Sequence, residues 1–106
     1  MQHLLFTAVA ANGRAFDIEF PLHPQTRSSD AVSSLVTVLL EALSRALRQQ
    51  QATSDGDLLQ ALAMTLAVRA RILDMDPDSR RRLVGQLVAT AMEAAQEAPG
   101  YRASRA

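Results

Sequence analysis

The chain has 106 residues, 48% of them hydrophobic, enough for one domain with a modest core and too apolar for general disorder. Eleven basic and eleven acidic residues cancel, which removes the simplest electrostatic case for a nucleic-acid or membrane-surface partner. Without cysteine there is no disulfide framework, no thiolate zinc site and no cysteine nucleophile.

All the basic residues are arginine; with Ala and Leu abundant, this points to the drift of a GC-rich bacterial or phage genome. The stretch from Met1 to Ala11 has no basic n-region. No run of about 18 apolar residues exists that would span a bilayer. The expectation is a cytoplasmic protein without a membrane partner.

Leu4 to Phe20 reads as a β-hairpin folded about Asn12-Gly13. In its second strand Phe16, Ile18, Phe20 and Leu22 point one way and Asp17 and Glu19 the other, the period-2 pattern of a half-buried strand. The first strand is ambiguous, because Leu4, Phe6 and Ala8 compete with Leu5, Thr7 and Val9 for the core face. A two-residue Asn-Gly loop places Val9 opposite Phe16. A three-residue Ala11-Asn12-Gly13 loop, with Gly13 left-handed as a bulge, places Ala8 opposite Phe16, Phe6 opposite Ile18 and Leu4 opposite Phe20. The second register gathers the larger apolar set on one face and is preferred. It turns Leu5 and Val9 outward, where a second layer or a partner would cover them.

Pro21, Pro24 and Gln25-Thr26-Arg27 end the strand. Helix one begins at Ser28 or Ser29, with Asp30 near the positive end of the dipole, and runs to about Gln51. Val32, Leu35, Val36, Leu39, Leu40, Leu43 and Leu47 form its broad apolar stripe. Helix two, about Asp57 to Leu73 after the Ser54-Asp55-Gly56-Asp57 start signal, is apolar almost all round. Such a helix is buried on several sides, centrally in a bundle or against another chain. Asp76-Pro77-Asp78 starts helix three, which stops at Pro99-Gly100. The expected fold is α+β, an N-terminal hairpin packed on a three-helix layer in the order ββααα. Residues 1–100 form one domain, and 101–106 a flexible tail.

Chemical signatures are sparse. His3 and His23 would lie near each other at the open end of the hairpin, but only a carboxylate such as Glu19 is left to complete a metal site, so no metal is expected. Arg80, Arg81 and Arg82 at a helix start suggest phosphate binding, offset by Asp74, Asp76 and Asp78 just upstream. Arg69 and Arg71, within the apolar helix two, call for carboxylate partners such as Glu41 or Glu93, or mark the rim of a partner surface. Asp17 and Glu19 share a strand face, which is the ordinary solvated side of a sheet. No Gly-x-Ser-x-Gly elbow and no glycine-rich phosphate loop is present.

The sequence therefore points away from an enzyme and toward a small interaction protein without a cofactor: an adaptor, inhibitor or regulatory subunit. A homodimer is expected, with an unidentified protein as further partner. Leu5, Val9, Leu58, Met64, Val68 and Ile72 are the candidates for self-association. The alternative is a nucleic-acid-binding regulator using Arg80, Arg81 and Arg82, and a third class is a small-molecule pocket between hairpin and helices.

Overall fold

A computed structural model describes residues 2–50 and 52–102. Strand β1 (His3–Val9) and strand β2 (Arg14–Pro21) form the antiparallel hairpin, and helices α1 (Ser29–Gln49), α2 (Asp55–Arg71) and α3 (Pro77–Glu97) follow. A short strand β3 (Gly100–Arg102) closes the order, so the fold is α+β with a three-stranded sheet β1-β2-β3. The chain divides into two compact units, Met1–Ser33 with Gly85–Ala106, and Ser34–Val84.

The hairpin register is the one that collects the larger apolar face: Leu4 lies opposite Phe20, Phe6 opposite Ile18 and Ala8 opposite Phe16. The turn produces it. Ala10 N–H donates to Arg14 C=O at 2.7 Å, and Gly13 N–H donates to Ala10 C=O at 3.0 Å. Gly13 takes φ +88°, and Arg14 N–H is caught by Asn12 Oδ1 at 3.0 Å. A side chain at residue 13 would be strained in this left-handed conformation, so the three-residue loop selects glycine there. Ile18 is buried on the resulting face, while Leu5 and Val9 stand out on the other.

β3 departs from expectation. Tyr101 and Arg102, expected in a tail, instead pair antiparallel with β2, Ala15 opposite Tyr101 and Phe16 opposite Gly100. The rest of that tail, residues 103–106, lies outside the described residues. Glycine is required at position 100 by close approach. A Cβ there would sit 2.9 Å from Phe16 Cε1 and collide with the Arg14 guanidinium, which lies 5.9 Å from the centre of the Phe16 ring. Gly100→Ala is expected to displace that stacked pair and free β3, exposing Ala15, now only 1% accessible. Faster amide exchange at Ala15 and Tyr101 is the readout.

Each helix begins at a side-chain cap. Ala31 N–H donates to Ser28 Oγ at 3.0 Å, placing Ser28 at the N-cap of α1. At α2, Asp57 N–H donates to Ser54 Oγ and Ser54 N–H to Asp57 Oδ2, a reciprocal capping box. That box starts α2 at Asp55, two residues before the expected start. At α3, Asp76 Oδ1 accepts from Ser79 N–H at 2.9 Å and Asp76 Oδ2 from Ser79 Oγ at 2.7 Å. Donation from Ser79, backbone first and hydroxyl second, holds the Asp76 carboxyl below its usual value. Its contribution to stability is therefore present above the ordinary carboxylate range and fades as pH falls through the lowered value.

Candidate functional site

The surface that demands explanation is on the helices. α2 carries Leu59, Met64, Val68 and Ile72 just past its end at 65%, 58%, 63% and 67% exposure, and Leu62 and Leu66 are also exposed. At about 100° per residue, Met64, Val68 and Ile72 form one ridge, and Leu59, Leu62 and Leu66 another roughly opposite. Only Ala70 of this helix is buried. Six such side chains, shared between two ridges, leave roughly several hundred Å² of apolar surface in water on one helix.

Of the residues expected to self-associate, Leu5, Val9, Met64, Val68 and Ile72 are all strongly exposed. Leu58 differs: it is half-buried and lines a groove of about 540 Å³ between α1 and α2, together with Leu43, Leu47, Ala61 and Asp57. Sequence reasoning missed Leu59, Leu62 and Leu66, and on α1 Leu35, Val38 and Leu39, which are more than half exposed. Leu35 and Leu39 belong to the apolar stripe expected of helix one and Val38 lies outside it, while Leu59, Leu62 and Leu66 belong to the helix expected to be buried in a bundle or against another chain. The available signal was proportion: three long apolar helices and one short hairpin offer more apolar face than they can cover in pairs.

The arginines separate into two kinds. Arg80 Nη2 donates to Leu73 C=O at 3.1 Å and to Met75 C=O at 2.7 Å, closing the backbone turn between α2 and α3. Its Nε is buried without a partner, so this guanidinium is engaged in the fold. Arg81 and Arg82 are exposed, which leaves two members of the triplet facing solvent. Arg69 and Arg71 are exposed as well, as are Glu41 and Glu93. With their guanidiniums in water, no desolvated charge calls for a carboxylate.

Polar chemistry on the sheet serves the strands. Asp17 Oδ1 accepts from Thr7 Oγ1 at 2.8 Å and from Tyr101 Oη at 2.9 Å, linking β1, β2 and β3 through one carboxylate. Asp17 and Glu19 thus divide, one a cross-strand acceptor and the other a solvated side chain. His3 stands opposite Pro21, and His23 Nδ1 accepts from Gln25 N–H at 3.1 Å. Among the described residues no three His, Asp or Glu side chains gather in a way that would hold a metal ion, and no helix is long and apolar enough to cross a membrane.

The Tyr101 hydroxyl is held above its ordinary value near 10, first by donation to Asp17, then by partial desolvation and by the carboxylate charge. A raised value means that the neutral hydroxyl belongs to the folded state. The tie to β3 is whole below pH 10 and is lost as pH rises through the folded value. With one tyrosine and no tryptophan, tyrosinate absorbance reports this group alone. We expect its midpoint to fall when Asp17→Ala removes the acceptor; an unchanged midpoint would remove Asp17 as the cause.

No family model matches this chain, and no curated protein or solved structure does.

Proposed function

We propose that this chain is a small non-enzymatic interaction protein, an adaptor, inhibitor or regulatory subunit, that works as a homodimer through protein–protein contacts. The observation that carries the reading is α2: a helix apolar on opposite sides, with Leu59, Met64, Val68 and Ile72 each more than half exposed. Apolar side chains in that number are costly to leave in water and are covered at no chemical expense by an identical surface. The self-complementary answer needs no further molecule, which is why a second copy is preferred as the first occupant. One face of the dimer then remains for an unidentified protein partner.

A phosphate-directed role for Arg80, Arg81 and Arg82 is less well supported, because Arg80 is bound to the Leu73 and Met75 carbonyls. Size-exclusion chromatography with light scattering, read at 260 and 280 nm, tests the proposal. A protein with one tyrosine and no tryptophan absorbs so weakly at 280 nm that bound nucleic acid stands out. The expected result is a mass near twice the 11.5 kDa chain and no excess at 260 nm. A single-chain mass at high concentration defeats the dimer. A salt-sensitive 260 nm signal would favour the arginines.

A further inference from the structure

β1 is the outer strand of the sheet, and its open edge is unguarded. Ala10 N–H donates to Arg14 C=O, and Leu22 N–H to Gln2 C=O, so the even residues of β1 exchange hydrogen bonds with β2. By the alternation of an antiparallel ladder, the N–H and C=O groups of His3, Leu5, Thr7 and Val9 point outward. Natural edges are blunted by charge, proline or bulges. The open edge of β2, beyond the three residues covered by β3, follows that rule: it bears Asp17, Glu19 and Pro21. From His3 to Val9 β1 has no acidic residue, no arginine, no proline and no glycine.

We propose that a second copy of the chain docks on this edge, β1 antiparallel to its mate, with Phe6 opposite Phe6 at the twofold axis. The inference rests on the homodimer reading and specifies its seam. Pairing outward residues with outward residues restricts the register. Centring on Phe6 sets Leu5 opposite Thr7 and His3 opposite Val9, and engages all four outward residues. A shift by one step in either direction leaves at least one unpaired. Electrostatics favours this edge over the other: self-pairing of β1 opposes no like charges, whereas self-pairing of β2 would bring Asp17 against Glu19. The seam extends the face carrying Leu4, Phe6, Ala8, Phe16, Ile18 and Phe20 across the axis and brings neighbours to Leu5 and Val9. A seven-residue strand seam covers less than the roughly 1,200 Å² of a stable interface, so the seam sets the register and does not by itself supply the affinity.

Amide hydrogen exchange on the unaltered full chain, with light scattering on the same samples, is the experiment. In the dimer, the amides of Leu5, Thr7 and Val9 should exchange at least about tenfold more slowly than the outward amide of Glu19 on the open edge of β2. A dimer in which they exchange as fast as Glu19 overturns the strand seam and leaves the helix-mediated dimer standing. A monomer at every concentration overturns both. Single cysteines in this cysteine-free chain read the register. Paired residues at a Phe6-centred axis have Cα atoms about 4.5 Å apart, within disulfide reach, while residue 5 or 7 lies about 8 Å from its own mate. Phe6→Cys should cross-link readily, and Leu5→Cys or Thr7→Cys alone should not. If Phe6→Cys does not fold, the double variant Leu5→Cys with Thr7→Cys should link across the axis where neither single does. Stronger linking by residue 5 or 7 alone overturns the register.

Discussion

Val68→Asp is expected to convert the proposed dimer into a folded monomer. Val68 sits midway along the Met64–Val68–Ile72 ridge and is 63% exposed in the single chain. A carboxylate there touches nothing that the chain itself buries. Surface changes of this kind alter stability by about 0.5 kcal/mol or less; Val and Asp are alike in helix propensity, and a carboxylate in the last turn of α2 adds a dipole cost of about as much. At a dimer seam the same carboxylate must leave water without a partner. Because a twofold interface carries each substitution twice, the loss should be roughly 3 kcal/mol or more, over a hundredfold in Kd. Light scattering across a concentration series measures it, with far-UV circular dichroism showing retained helix. Ser44→Asp, on the polar side of α1, is the control and should leave the dimer intact. The melting temperature of the unaltered chain should rise with concentration, and that of Val68→Asp should not. A Val68→Asp dimer as tight as the original would remove this ridge from the interface.

Local features were legible where a single residue type decides the geometry. Asn12-Gly13 placed the turn but allowed two loop lengths, and the larger apolar face chose the register that places Phe6 opposite Ile18, with Gly13 left-handed. Asp76 marked the start of α3, and for α1 Ser28 and Ser29 both qualified until the Ala31 N–H bond to Ser28 Oγ decided between them. The start of α2 was read two residues late because two aspartates and a serine all qualify; the Ser54–Asp57 capping box decides between them. β3 was not legible. Gly100-Tyr101-Arg102 has no alternation to display in three residues, and its place is set by packing at Phe16 and by the distant carboxylate of Asp17. The all-round apolar character of α2 was visible in the sequence. Which of its side chains find cover within the chain was not, because that depends on which of them meet α1, as Leu58 does at the groove with Leu43 and Leu47.

Ile18→Ala should destabilise the chain by about 2–4 kcal/mol, the range for emptying a buried branched site. Among the described residues Ala15, Ile18 and Ala70 are the buried hydrophobic side chains, and Ile18 is the only large one. It lies in the central strand opposite Phe6, so its loss removes the one large buried side chain from the apolar face of the sheet. Against a total stability of about 5–15 kcal/mol for a small domain, that is a large fraction. Leu5→Ala supplies the contrast, because Leu5 is in the same hairpin but 66% exposed. Urea denaturation at low and high protein concentration separates the two roles. Ile18→Ala should lower the midpoint by a similar amount at both, since its site belongs to one chain. Leu5→Ala should matter only at the higher concentration, where the proposed second copy would cover it. Were Ile18→Ala to cost under about 1 kcal/mol, the sheet would be drawing its stability from the second copy more than from its own apolar face.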